Sequence, residues 1–277
     1  MRWLSGAGAF AVVAGMPGAP AATAAADGRV RVAAHRGGAA LWPENSLLAH
    51  RNALGLGVDF LETDVHLTSD GEVVVLHDAT LDRTTTGRGP VGAVTLADLA
   101  GVKLRGADGA PTDERLPRLA ELLDLVRPSR AQLLLEIKVD AARRRYAGIE
   151  EKVLALVKDR GLLGRTPFMG FQADTVRRVR ELEPGAATVL LVARSRLERQ
   201  RVEPREAVRW TAEAGAGTLG IQHTALDTGV IDAARKAGVA VAAWTVNEEQ
   251  DMRRVIGLGA DILISDRPDV ALRVLGR

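Results

Sequence analysis

Side chains able to do acid–base or ion chemistry crowd the stretch from His35 to Asp78. His35-Arg36-Gly37 is followed by Pro43-Glu44-Asn45, and then come Glu62-Thr63-Asp64, Asp70-Gly71 and His77-Asp78. Alternate side chains of a strand share a face, so Glu62 and Asp64 point the same way, with backbones roughly 7 Å apart. Two carboxylates on one face call for a cation. The Ser69-Asp70-Gly71 turn folds residues 73–76 back as a second strand, and pairing about it carries His77 beside Glu62 and Asp64. An acid, a base and a metal site thereby fall in one place. His66 has the parity of Glu62 and Asp64 and is a candidate further ligand, although it lies nearer the turn.

What must position these residues is a regular alternation along the rest of the chain. Apolar runs occupy residues 30–34, 60–65, 132–137, 167–171, 188–192, 218–222, 239–244 and 261–265. Each precedes a segment of helical period: 46–56, 118–125, 148–160, 173–183, 203–213, 227–237, 248–256 and 269–275. Eight strand–helix pairs in this length predict an α/β fold, a (β/α)8 TIM barrel, with a doubly wound open sheet as the alternative. Residues 79–117, rich in Thr, Gly, Asp and Pro, break the rhythm and read as a small insertion after strand two, over the barrel mouth. Its Thr84-Thr85-Thr86-Gly87 string lacks the lysine and the strand–helix setting of a phosphate-binding P-loop.

Barrel enzymes gather their chemistry where strands end, and the polar residues of this chain fall at those ends. His35 and Arg36 follow strand one, Glu62 and Asp64 close strand two, and Glu136 and Lys138 close strand three. Gln172 follows strand four, Trp244 ends strand seven, and Asp266 follows strand eight. Three further residues are less telling. His50 falls within the first helix, where a solvent-facing position is expected. His223 follows strand six and can line the mouth. Asn45 or Ser46 can cap the first helix, while Glu44 can hydrogen-bond into the site.

Composition narrows the function classes. A hydrophobic share of 47% over 277 residues supplies a large core for one barrel-sized domain spanning residues 27–277. The formal net charge of +2 comes with basic residues spread along helices rather than in blocks, which does not suggest nucleic acid. Cysteine is absent, so a metal here takes oxygen or imidazole ligands. Residues 1–26 differ: Arg2 precedes a weakly apolar run, followed by small-residue strings such as Ala24-Ala25-Ala26. This reads as a secretory signal, with a disordered extension as the alternative. The run is short of the roughly 20 apolar residues of a membrane span. An exported protein without stable membrane insertion is expected, and its oligomeric state is not legible.

The strings HRGG, PENS, ETDVHLTSDGEVVVLHDATLDRTT, LLLEIK, AAWTVN and GADILISDRPD, in this order, resemble the glycerophosphodiester phosphodiesterase family from about Val32 to the end. The resemblance implies His35 and His77 as the acid–base pair and Glu62, Asp64 and Glu136 as ligands of one divalent cation. It makes Arg36 and Lys138 phosphate partners; Trp244, at the end of strand seven, is a candidate substrate-binding residue from its place on the rim. The resemblance further implies hydrolysis of a small-molecule glycerophosphodiester to glycerol 3-phosphate and an alcohol, with the substrate's own 2-hydroxyl as attacking group. Ser46 and Ser265 stand where the family commonly has threonine. An all-carboxylate ligand set is hard and favours Mg2+ or Ca2+ over Zn2+. The alternatives are a phospholipase D-like or lysophospholipase D-like activity on a lipid, and a barrel that only binds phosphodiesters.

Overall fold

The computed structural model describes residues 28–277, so the expected signal segment lies outside the described residues. The strands are β1 (Arg31–Ala34), β2 (Phe60–Leu67), β3 (Val73–Val75), β4 (Lys103–Arg105), β5 (Pro111–Arg115), β6 (Gln132–Ile137), β7 (Phe168–Gly170), β8 (Thr188–Val192), β9 (Thr218–Gln222), β10 (Ala240–Trp244) and β11 (Ile262–Ser265). The helices are α1 (Leu47–Leu56), α2 (Leu119–Val126), α3 (Ile149–Asp159), α4 (Ala173–Leu182), α5 (Arg194–Gln200), α6 (Glu206–Glu213), α7 (Thr228–Ala237), α8 (Glu249–Leu258) and α9 (Pro268–Val274). β1, β2 and β6 to β11 pair in parallel, and β1 bonds to both β2 and β11, which closes an eight-stranded barrel.

Each expected run became a strand within a few residues of its expected ends, because the two faces of every strand are claimed by different cores. Inward side chains such as Phe60, Leu134, Val189, Ala242 and Ile262 fill the barrel, while Leu61, Leu133, Leu135, Leu190 and Leu219 meet the helices outside. Helix ends follow local chemistry. Ser46 Oγ accepts the Ala49 N–H at 2.9 Å, and Asp227 Oδ1 accepts that of Val230 at 2.8 Å.

Three expectations need correction. The segment expected as one helix over 203–213 is α6, starting at Glu206, and an additional helix, α5, precedes it on the rim. The seven residues of α5 are mostly charged, so no apolar period betrayed it. The insertion is more than a loop. Its β4–β5 hairpin and Leu81, Val91, Leu99, Leu104 and Leu116 form a small core of their own on Val74 and Leu76.

His50 is the third correction, being fully buried with neither ring nitrogen hydrogen-bonded. α1 packs against the His35–Gly37 turn so closely that a Cβ on Gly37 would stand 2.8 Å from Ala49 Cβ, and this contact carries His50 inward. Burial lowers its pKa from 6.5 to about 3. Between those values the unfolded chain binds a proton that folded His50 refuses. Stability is therefore full above about pH 6.5 and falls as the pH drops toward 3, by about 1.4 kcal/mol per pH unit. Thermal melts at pH 7.5 and pH 5 are expected to show a smaller loss of Tm in His50→Leu than in the parent chain. Equal losses would exclude His50 as the source of acid sensitivity.

Candidate active site

Phe60 points into the barrel, so the period of two sends Glu62 and Asp64 inward as well; Leu134 does the same for Glu136 on β6. The two strands pair in the register Asp64↔Glu136. Glu62, Asp64 and Glu136 are buried, and each offers an oxygen within 4.8 Å of the others. Few groups hold them. The Arg36 N–H donates to Glu62 Oε2 at 2.8 Å, and Asn45 Nδ2 donates to Asp64 Oδ2 at 2.9 Å. Lys138 Nζ lies 2.9 Å from Glu136 Oε1 and 3.3 Å from Asp64 Oδ1, and Arg36 Nε is 3.7 Å from Asp64 Oδ2.

Their ionisation reflects crowding. Burial, then repulsion from Asp64 and Glu136, pushes the Glu62 carboxyl well above the usual carboxylate range. Burial raises Glu136 by more than the Lys138 charge lowers it. Asp64 goes the other way: burial opposes its charge, but Lys138, His77 and Arg36 together hold it low. Asp64 Oδ1 is buried without a hydrogen bond. A buried carboxylate oxygen met only by the Lys138 ammonium, at 3.3 Å, and facing two further carboxylates, with no nitrogen or sulfur ligand in the group, fits a hard divalent cation.

Both histidines present one nitrogen and anchor the other. His35 Nδ1 lies 2.6 Å from Asp266 Oδ1, and His77 Nδ1 lies 2.7 Å from Asp78 Oδ1. A carboxylate accepts, so each Nδ1 carries the proton, and each Nε2 is free to accept one or, once charged, to give one. Asn247 fixes Asp266, donating from Nδ2 at 2.7 Å while its Oδ1 accepts the Asp266 N–H at 2.9 Å. Burial raises the Asp266 carboxyl, but the bonds from His35 and Asn247 outweigh it and keep it below the usual range. Arg83 fixes Asp78 through contacts of 2.7 and 3.0 Å.

His35, Arg36, Glu62, His77, Glu136 and Trp244 line one cleft, floored by Met169, Leu191 and Ile264. Trp244 meets Phe171 edge to face, with centroids 5.5 Å apart. Lys138 stands at the same mouth beside Phe171 but is committed to Asp64 and Glu136. A larger hollow at the opposite end of the barrel, beside Arg235 and Gly259, is lined by none of these residues. His66 is no ligand. Its Nε2 donates to the His77 carbonyl at 3.1 Å, and its Nδ1 accepts from the Tyr146 hydroxyl at 2.9 Å. His223 bonds Arg254 and stays out of the cleft.

The model of the glycerophosphoryl diester phosphodiesterase family matches residues 35–270, which takes in every residue of this cleft. The chain belongs to that family. A glycerophosphodiester phosphodiesterase of Caldanaerobacter subterraneus is 33% identical over 248 residues, 88% of this chain and 97% of that one. A glycerophosphodiester phosphodiesterase of Agrobacterium tumefaciens superposes with a TM-score of 0.72 at 26% identity, covering 88% of this chain and 100% of the other. A phosphodiesterase of Oleispira antarctica, solved with the product sn-glycerol-3-phosphate, superposes with a TM-score of 0.73 at 25% identity over 89% and 97% of the two chains. The expected fold and reaction class, hydrolysis of a phosphoric diester, are those of the family.

In this phosphodiesterase sequence reasoning placed Asp78 in the motif and Asp266 on the rim but did not assign them as the anchors of the two histidines. Asp266 had a signal. Ser265 pairs with Ala34 once the barrel closes, so the residues that follow them, Asp266 and His35, must be neighbours. Asp78 adjoins His77 in the chain. Asn247, Arg83 and the bond from Asn45 to Asp64 gave none, because loop side chains have no period. In Asp266→Asn the remaining side-chain oxygen is claimed by Asn247 Nδ2, so an amide N–H faces His35 Nδ1 and imposes the wrong tautomer, and turnover is expected to fall roughly 100-fold or more with the fold intact. Unchanged steady-state kinetics in Asp266→Asn would remove this pair from the mechanism.

Proposed function

We propose that the protein hydrolyses small-molecule glycerophosphodiesters to glycerol 3-phosphate and an alcohol, with His35 and His77 as the acid–base pair. The observation that carries the reading is the cleft itself: two histidines, each anchored through Nδ1 to a carboxylate, open onto the same space as the three-carboxylate cluster. Glu62, Asp64 and Glu136 would hold one divalent cation, Mg2+ or Ca2+, whose charge would stabilise the negative charge that builds on the phosphoryl oxygens. Arg36 and Lys138 add fixed positive charge at the same place, and Trp244 walls the substrate. Cysteine is absent, and Ser46 is spent on capping α1. The attacking group is then water or a hydroxyl of the substrate, and the resemblance to the family favours the glycerol 2-hydroxyl. One histidine takes its proton as oxygen bonds to phosphorus, the other protonates the departing alcohol, and water then opens the cyclic phosphate with the roles exchanged. Tethering supplies roughly 7 kcal/mol or more in well-oriented cases.

A lipid diester is the poorer substrate. Among the described residues the exposed large hydrophobic side chains are Leu56 and Phe171, and Leu56 ends α1, away from the mouth. Residues 1–26 support export, which sequencing the N-terminus of the mature protein tests.

Chelation is expected to abolish turnover, and Glu62→Ala to weaken metal binding measured by calorimetry as well as rate. Full turnover in excess chelator would overturn the metal assignment. Separately, His35→Ala and His77→Ala are each expected to cut kcat by roughly 100-fold or more, with the double variant losing less than the product. A 2-deoxyglycerol diester should bind but turn over poorly; equal rates for the natural and deoxy diesters would exclude the substrate hydroxyl as nucleophile.

A further inference from the structure

Phe171 is shared by the catalytic cleft and by two hollows that adjoin it on the rim. One hollow is lined by Arg196, Arg199 and Gln200 of α5 and by Asp174, which is paired with Arg177 at 2.8 Å; the other is lined by Lys138 and Arg143 of the loop after β6. Within α5 the charges sort themselves. Arg194 pairs with Glu198 four residues on, at 2.7 Å. Arg196 and Arg199, three apart and on one face, have no carboxylate within ion-pair distance among the described residues, nor does Arg143. Two like charges at this spacing destabilise a helix. Arg196 lies on the Trp210 ring, 4.6 Å from its centroid, which fixes its guanidinium at the rim. Burial and the neighbouring Arg199 charge both work against its protonation. Most other rim arginines, including Arg36, Arg83, Arg194, Arg254 and Arg267, sit on a carboxylate, so this group stands apart.

We propose that Arg196, Arg199 and Arg143, ranged around Phe171, form a leaving-group subsite that selects glycerophosphodiesters whose alcohol carries a negative charge of its own. The inference rests on the phosphodiesterase reading above and adds the substrate class. A phosphodiester has two arms. The glycerol arm is uncharged and gains nothing from cations without counterions, so the arm that passes Phe171 toward the arginines is the alcohol. The apolar ring covers the carbon chain of that alcohol, and the arginines meet its far end. Each guanidinium offers a planar fork that matches a phosphate or a carboxylate.

The test compares three diesters that differ only at the end of the alcohol: glycerophosphoglycerol, the same compound with the terminal hydroxyl phosphorylated, and the same with that carbon oxidised to a carboxylate. The expected result is a kcat/KM about tenfold or more higher for the charged diesters at low salt, carried by KM and shrinking as ionic strength rises. The phosphate diester leads if the arginines act together; the carboxylate leads if one fork suffices. Arg199→Gln combined with Arg143→Gln, both exposed positions, should bring the ratio to within about twofold of unity, with Arg199→Lys retaining part of it. A fold defect would lower all three substrates together and leave the ratio in place. Equal kcat/KM for neutral and charged diesters in the parent chain, or an unchanged ratio in the double variant, overturns the subsite while the phosphodiesterase reading stands. Turnover of none of the three with Mg2+ or Ca2+ present overturns that reading, and the subsite with it.

Discussion

Three carboxylates buried within 4.8 Å of one another are the constraint on which the rest of this structure turns. Like charges at such range in a site shielded from water repel strongly, and desolvation adds to the cost. The raised Glu62 and Glu136 and the lowered Asp64 express that conflict: the cations present stabilise one carboxylate well and the other two poorly. Lys138 sits between Asp64 and Glu136, but Glu62 receives a backbone N–H, the more distant charge of Arg36 and, at 3.9 Å, the His35 Nε2. A divalent cation would resolve what one lysine cannot, and Glu62, Asp64 and Glu136 would hold it beside the cleft.

Holding the cluster together costs backbone freedom at its edge. Arg36 and Asn45 both adopt positive φ, 51° and 60°, a region that side-chain-bearing residues seldom enter. They are locked to each other, the Asn45 N–H donating to the Arg36 carbonyl at 2.8 Å. The turn lets Arg36 aim its N–H at Glu62, and it lets Asn45 bridge Asp64 and the Thr63 hydroxyl. Two strained residues are thus stabilised by the acidic groups they serve.

The barrel was legible because strand period and helix period are both set by burial, and every strand here has an apolar face on each side. The catalytic rim was legible for the related reason that Glu62, Asp64, Glu136 and Trp244 simply continue the inward parity of Phe60, Leu134 and Ala242 beyond the apolar layer. What escaped depended on packing between elements. His50 looks like a helix-surface residue until α1 is pressed onto a turn that only glycine can make close. α5 has too few apolar residues to show a period at all. Arg83 lies in an insertion whose small core, built on β3, could not be placed from pattern alone.

That insertion completes the chemistry from the other side. Arg83 grips Asp78 through Nε and Nη2 and Glu44 through both terminal nitrogens, with contacts of 2.7 to 3.0 Å. Glu44 in turn meets Arg36 Nη1 at 3.1 Å. A continuous chain of alternating charge therefore runs from His77 through Asp78, Arg83 and Glu44 to Arg36, whose N–H reaches Glu62. His35 is held separately, by Asp266 and Asn247 from the closing strands of the barrel. The two histidines are thus oriented by different parts of the molecule, one by the barrel and one by the insertion. Their spacing across a substrate is set by how the insertion's core seats on Val74 and Leu76, two side chains on the face of the β2–β3 hairpin that His66 and Asp64 share, so the insertion is anchored to the strand that carries Glu62 and Asp64.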